Sequence, residues 1–419
     1  MTKVVLTHGY CEYQSYTRLF SQSPVPPHHV LQLSAHLTQQ KFTNKVIDIT
    51  LNGSSYAIEE LKKEVPKYCF IEAVETTLHT TLSMVEAIRD EELFKHMKII
   101  VGGAGVHDRE QYYLDAGTDV VIHGEVQSTL SALLFTMEIP MNPFLDHVPG
   151  IMFFNGHGEV TKTTAEDPEQ LSIQPSTPDW EKVDLSEYRD YGKHYDGYSV
   201  AKVAVSRIPS FFSEDLKFYK SPDELVEEIN LLVYHHQFDR IIIEGNILRY
   251  PKWFIDFTDR CQIEDKLRYE CYVHPGVMNS DQVNRLKLSG CVRLWVKIKT
   301  TLFDELFSSL GDIANTAWET EMEVACTVVL SEEDMNIDSL NNVLQLLKEV
   351  SPDYLVMEFN IPHTNDNNRW STLCLSVEKW LIKELEWHSI CQRKTWFWPV
   401  SWAKGLHLLW RRMKLKYLV

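Results

Sequence analysis

Residues 98–105 read KIIVGGAG, an apolar run that stops at two consecutive glycines, with a third glycine two positions later. A short apolar, β-branched run of this kind favours a buried strand. Glycine at the end of a strand permits a tight turn, and it lets the backbone come close to a ligand at the start of the next helix. Gly102, Gly103 and Gly105 therefore serve either the turn alone or ligand binding.

The same strand–helix pattern extends on both sides of this stretch. Further apolar runs, which alternate with amphipathic segments, lie at residues 3–7, 45–48, 69–74 and 119–122. Strands that are apolar throughout are expected when helices cover both faces of a parallel sheet. The pattern predicts an α/β fold in which residues 1–140 form a doubly wound, flavodoxin-like sheet of five parallel strands.

The strand at 119–122 also ends in a small turn, which His123, Gly124 and Glu125 form before Ser128 opens a helix. Two neighbouring strands that both end in glycine predict a groove at the carboxyl edge of the sheet, where open α/β sheets bind ligands. We expect a valine at Gly102 or Gly124 to block this groove and to leave the fold largely intact.

The remaining chain divides into three predicted parts. Residues 141–199 are a connector rich in turn signals, with a possible hairpin at 151–161. Residues 200–365 repeat a strand–helix unit six times, and SPDE at 221–224 is a good helix start. These repeats predict a partial (β/α)6, TIM-like barrel with any site at the carboxyl ends of its strands. Residues 366–419 are a C-terminal extension.

Composition limits the class of protein. The 419 residues carry 41 Lys plus Arg against 59 Asp plus Glu, a net charge of −18, which argues against general nucleic-acid binding. The sequence contains no run of about 18 apolar residues, so we expect no membrane-spanning helix. Eight scattered cysteines in a large acidic chain predict a reduced, cytoplasmic protein.

Several candidate sites have a plain structural interpretation. The pairs His28–His29 and His235–His236 are adjacent in sequence, so we expect their side chains to diverge and to serve structure or surface. The chain contains no serine-hydrolase, zinc-protease or P-loop motif.

From residue 393 onward there are seven basic and no acidic residues. This segment has one aromatic helical face, built from Trp402, Leu406, Leu409, Trp410, Met413 and Tyr417. It either closes the barrel or contacts an acidic protein partner or a membrane surface.

Taken in order, a set of short motifs resembles cobalamin-dependent radical S-adenosylmethionine (SAM) enzymes from about residue 3 to 363. The matching stretches are Pro26–Pro27, VID at 46–48, VGG at 101–103, DVVIHGE at 119–125, GIMFF at 150–154, TPDW at 177–180, Tyr188 and SPDELVEEI at 221–229. The resemblance implies a cobalamin-binding domain followed by a radical SAM-like barrel.

That resemblance also assigns roles to residues. It places the nucleotide tail of cobalamin near the glycines of 102–105 and near Gly124, Glu125 and Ser128. It brings the loop with Thr76, Thr77 and His79 to the lower corrin face. His79 would be either an axial cobalt ligand or simply the start of the next helix.

The chain departs from the family at the cysteine motif that binds the iron–sulfur cluster. Residues 206–213 read SRIPSFFS where the family has C-x-x-x-C-x-x-C, and no cysteine lies between Cys69 and Cys261. An iron–sulfur cluster needs thiolates, so none is expected. Lys299 stands where the family has glutamate, which makes SAM binding doubtful. We expect non-radical, methyl-transfer-like cobalamin chemistry on a small-molecule or peptide substrate. The alternatives are a non-catalytic partner protein that binds the substrate or an active radical SAM enzyme, and a cobalamin-responsive sensor.

Overall fold

A computed structural model describes residues 4–9, 23–74, 77–139, 144–167, 177–206, 216–263, 267–273, 278–299, 303–331, 333–360 and 367–392. It is an α/β protein with two sheets, as predicted. Within these ranges no helix is both long enough and apolar enough to cross a membrane.

The first sheet contains the five parallel strands that the sequence predicts. Their order, β2-β1-β3-β4-β5, is that of flavodoxin-like folds. The strands are β1 (Val4–His8), β2 (Asn44–Val46), β3 (Tyr68–Glu72), β4 (Lys98–Gly102) and β5 (Val120–Ile122). The helices are α1 (His28–Gln39), α2 (Ser54–Glu64), α3 (Leu78–Arg89), α4 (Glu110–Asp115) and α5 (Val126–Met137). Consecutive residues of β1 point to opposite faces of the sheet: Val5 lies in one hydrophobic core and Leu6 in another. Both faces of the sheet are therefore covered.

This sheet is wider than the five strands predicted. The hairpin expected near 151–161 is present as β6 (Ile151–Phe154) and β7 (Val160–Lys162), and β6 pairs antiparallel with β5. The sheet therefore has seven strands. The remainder of the predicted connector includes a helix, α6 (Leu185–Tyr195). Trp180 and Tyr188 from this segment lie in a core that includes residues of both sheets.

The second sheet is a half-barrel of six parallel strands, in the sequential order that the sequence predicts. Its strands are β8 (Val200–Ala204), β9 (Arg240–Glu244), β10 (Tyr269–Val273), β11 (Cys291–Lys299), β12 (Glu323–Ser331) and β13 (Tyr354–Asn360). Its helices are α7 (Pro222–Asn230), α8 (Pro251–Ile263), α9 (Ser280–Leu288), α10 (Phe303–Glu319), α11 (Ile337–Val350) and α12 (Asn367–Gln392). Ser221 and Glu224 form a capping box at the start of α7, which explains why that boundary is readable from sequence.

A buried network of charges lies near the amino-terminal ends of β10–β12. Arg293, 2% exposed, donates to both carboxylate oxygens of Glu270 at 3.0 Å and to Glu323 at 2.6 Å. Trp295 also donates to Glu270, at 2.7 Å. The ring of Tyr354 lies 3.5 Å from the Arg293 guanidinium carbon. These groups therefore form a paired, largely buried network at this end of the half-barrel.

Candidate functional site

The carboxyl ends of the two parallel sheets meet at the start of α1. His28 and His29 begin this helix, which follows β1 of the first sheet, and Glu244 is the last residue of β9 in the second. The Nε2 atoms of His28 and His29 lie 3.5 Å and 3.6 Å from Oε2 of Glu244. This contact marks the space between the two sheet edges as the candidate site, because ligands of both fold types bind at the carboxyl ends of the strands.

The expectation that His28 and His29 diverge is wrong. Their ring centroids are 3.8 Å apart and both imidazoles approach the same carboxylate. In a helix the Cα–Cβ bonds of adjacent residues point in different directions, but the side-chain torsion angles of these two histidines place their rings side by side. The sequence gives no signal for this convergence, because Glu244 is more than 200 residues away along the chain.

Burial and neighbouring charges set the protonation of these groups. Burial holds the pKa of His28 well below its ordinary value. Glu244 is partly exposed, and its partial desolvation is outweighed by Lys202 and the imidazole of His29, which hold the pKa of the carboxyl well below its usual range. The pKa of His29 is raised, since its proximity to Glu244 and to Glu72 outweighs burial. Near neutral pH the cluster therefore contains a neutral imidazole beside a carboxylate.

The glycines of 102–105, where the sequence predicts a ligand groove, each lie against other protein atoms. A Cβ on Gly103 or Gly105 would lie 2.5 Å from the carbonyl oxygen of Ala73 or 2.3 Å from that of Val74, and Gly103 has a φ of +116°. A Cβ on Gly102 would lie 3.0 Å from the ring of Phe70. Gly103 and Gly105 therefore let two loops pack against each other. A cofactor role for Gly102, Gly103 and Gly105 stays a prediction.

The second glycine turn is similar. A Cβ on Gly124 would lie 3.1 Å from Cα of Gly150. Glu125 is buried and caps α5, because its carboxylate accepts from the backbone N–H groups of Gln127 and Ser128 and from the Ser128 hydroxyl. A valine at Gly102 would press on the ring of Phe70, and one at Gly124 on the backbone of Gly150. The expectation that these variants keep the fold largely intact and lose cobalamin stays a prediction. A cofactor role for Gly124, Glu125 and Ser128 stays a prediction.

The predicted loop at the lower corrin face is only partly described. Thr76 lies outside the described residues. Thr77 is buried, and its hydroxyl accepts from the backbone N–H of Val74 at 3.0 Å and donates to that residue's carbonyl at 3.1 Å. His79 is the second residue of α3 and is half-buried, at the carboxyl edge of the first sheet. Its role as an axial ligand stays a prediction.

Sequence reasoning missed a polar cluster on the same edge. His8, the last residue of β1, contacts Asp48 with Nε2 and Oδ1 3.0 Å apart, and the Tyr188 hydroxyl donates to the other oxygen of Asp48. Burial lowers the pKa of His8, but the hydrogen bond and charge of Asp48 outweigh it and raise the pKa overall. Burial raises the pKa of Asp48, and His8 and Tyr188 reverse that shift. Polar residues at the ends of β1 and β2 are the signal that could have found this cluster.

The cysteines are closer together than their separate elements suggest. Sγ of Cys271 in β10 and Sγ of Cys291 in β11 are 3.8 Å apart. Both residues are buried, and the hydrogen bond to Cys291 and burial raise the pKa of Cys271 well above its ordinary value.

Residues 207–215, where the family has its cluster motif, lie outside the described residues, as does the basic aromatic segment after 392.

No protein-family model matches the chain, and no curated protein matches it in sequence. Solved structures do match its shape. The radical SAM methyltransferase TsrM from Kitasatospora setae, with cobalamin and a 4Fe–4S cluster bound, has a TM-score of 0.61 at 12% identity, over 86% of this chain and 75% of that one. The fold is that of cobalamin-dependent radical SAM enzymes. The enzyme OxsB of this class, with aqua-cobalamin bound, has a TM-score of 0.60 at 14% identity, over 93% of this chain and 56% of OxsB. The resemblance predicted from the sequence is thereby confirmed for the fold, across both sheets.

Proposed function

We propose that this protein binds cobalamin between the carboxyl edge of the first sheet and the mouth of the half-barrel, and transfers a methyl group without radical chemistry. The observation that carries the proposal is the contact of His29 with Glu244, which joins the two carboxyl edges. Matching structures of this fold contain cobalamin. Cobalamin, when bound, supplies a cobalt-centred methyl carrier.

The residues at this edge suit a large polar cofactor. Within the described ranges, the buried hydroxyls of Thr7 and Ser23 have no hydrogen-bond partner. Buried polar groups are normally paired, and amide-bearing corrin side chains would pair them. The imidazole of His79 stands at the start of α3, where a neutral nitrogen would be a suitable cobalt donor.

The barrel mouth offers charged groups for a polar substrate. Lys297 contacts Glu358 with Nζ and Oε2 3.4 Å apart, and Lys202 lies near enough to Glu244 to lower its pKa. We propose that these groups orient a small-molecule or peptide substrate. We further propose that no cluster forms, because residues 206–213 lack cysteine.

The test is cobalt and iron analysis with a visible spectrum, after incubation with hydroxocobalamin and desalting. We expect about one cobalt per chain and, after anaerobic treatment with iron and sulfide, no bound iron. Loss of all cobalt on desalting would refute cobalamin binding. Stoichiometric iron with a cluster spectrum would refute the non-radical assignment.

Ligation by His79 is tested separately. His79→Ala should shift the visible bands of bound cobalamin, whereas His107→Ala, at an exposed imidazole, should leave them unchanged. Unchanged bands in His79→Ala would eliminate this residue as the axial ligand, without bearing on cobalamin binding itself.

A further inference from the structure

The cluster of His28, His29 and Glu244 has the donor set of a transition-metal site. Two imidazoles and one carboxylate bind Zn²⁺ or Fe²⁺ in many proteins and leave at least one coordination position open. The three candidate ligand atoms all lie within 4.8 Å of one another.

The distances from the Glu244 oxygen to the two imidazole nitrogens are those expected between ligands of one ion. Two atoms bound tetrahedrally at about 2.0–2.2 Å from Zn²⁺ lie about 3.3–3.6 Å from each other. The observed distances from Oε2 of Glu244 are 3.5 Å to His28 and 3.6 Å to His29. Ordinary N–H···O hydrogen bonds are shorter, at about 2.7–3.2 Å. The geometry therefore leaves room for a cation between the three side chains.

A second observation points to the same ligand. His28 is 5% exposed, and within the described part of the chain its Nε2 atom has no hydrogen-bond partner. An unsatisfied buried polar atom costs about 1–3 kcal/mol, so such atoms are rare unless something pairs with them. The side chains of His29 and Glu244 are 32% and 42% exposed, which gives an ion a route in from solvent.

We propose that His28, His29 and Glu244 bind one divalent first-row transition-metal ion that links the two sheets and keeps an open position toward the space between them. A simple ion pair of His29 with Glu244 would not explain why His28 approaches the same oxygen with its own buried nitrogen. The site does not depend on cobalamin binding, because all three ligands come from the chain.

The chain provides a matched control cluster. Glu181, His235 and His236 also form a two-histidine, one-carboxylate group, but both imidazoles are 3.9 Å from the carboxylate oxygen and the Glu181 side chain is 77% exposed. Exposed acidic groups such as Glu181 commonly occur without an ion, so we assign no site to this cluster.

The test is a titration of the full chain, freed of metal and cobalamin, with Zn²⁺ by calorimetry and with Co²⁺ by visible absorption. We expect one ion per chain, and we expect His28→Ala and the near-isosteric Glu244→Gln to weaken binding at least about 100-fold. The double variant His235→Ala/His236→Ala should bind as the wild type does. Circular dichroism establishes that each variant is folded.

Two results of this titration would overturn the proposal, and a third comes from a charge variant. One is the absence of stoichiometric Zn²⁺ binding by the wild type, and the other is full binding by a folded Glu244→Gln protein. Lys202→Met should tighten binding, because it removes a positive charge that acts on Glu244 and both imidazoles. Weaker binding by that variant would place the ion elsewhere. Because no cobalamin is present, these outcomes are independent of those for the proposed function.

Discussion

Replacing Arg293 by methionine should destabilise the half-barrel strongly. Arg293 donates two hydrogen bonds to Glu270, which is fully buried, and more to Glu323. Methionine fills a similar volume but leaves the Glu270 carboxylate with the Trp295 N–H at 2.7 Å and the Arg240 guanidinium at 3.3 Å. Removing one partner of a buried ion pair costs about 3–5 kcal/mol. Because two donors remain, we expect the lower end, about 3 kcal/mol.

The measurement is urea unfolding followed by circular dichroism. With a denaturant slope of about 2 kcal/mol per molar, the midpoint should fall by roughly 1.5 M. Lys63→Met removes a basic partner of Glu60 at the surface and should leave the midpoint unchanged. The double variant Arg293→Met/Glu270→Gln should recover much of the loss, because it removes the uncompensated charge. A midpoint shift below about 0.3 M for Arg293→Met, or no recovery in the double variant, would refute the reasoning.

Two further predictions concern the first sheet. Gly105→Ala should cost about 1–3 kcal/mol, because its Cβ would lie 2.3 Å from the carbonyl oxygen of Val74. Gly156→Ala, which has no atom within 4 Å, should be neutral in the same urea assay, and equal midpoints for the two variants would contradict the packing account. The His8–Asp48 pair should contribute most between about pH 4 and 6.5, since the pKa of His8 is raised and that of Asp48 is lowered. The contribution of His8 is lost as pH rises through its folded pKa, and that of Asp48 is lost as pH falls through its own. The destabilisation of His8→Gln should therefore shrink at pH 9, and an equal loss at pH 5.5 and pH 9 would count against it.

The amino-terminal end of the half-barrel contains buried side chains that pair with one another. Arg293 donates to Glu270 and Glu323 at this end, and Trp295, Ala325 and Val356 form a small apolar cluster beside them. We therefore propose that a substrate binds at the opposite, carboxyl end of the strands, where Glu244 contacts His28 and His29.

Much of the architecture can be predicted from the sequence, because strands and helices depend on local patterns. These patterns involve residues only a few positions apart. They are alternating or continuous apolar runs, amphipathic segments and helix caps such as Ser221 with Glu224. The order of strands follows from right-handed crossovers. The hairpin at β6 and β7 was also predicted, but its pairing with β5 was not, because an exposed sheet edge accepts a strand without any local signal.

The candidate site was decided by the tertiary structure. The sequence identified Gly103, Gly105 and Glu125 as site residues, but only the structure shows that the two glycines pack against the loop at Ala73 and Val74 and that Glu125 caps α5. Their cofactor roles stay predictions. The sequence also indicated that His28 and His29 diverge, whereas the fold brings both to Glu244. The physical reason is the separation along the chain of the residues that interact. Secondary structure arises from interactions within a few residues, but a site between two sheets depends on rotamers and distances that only the packed molecule determines.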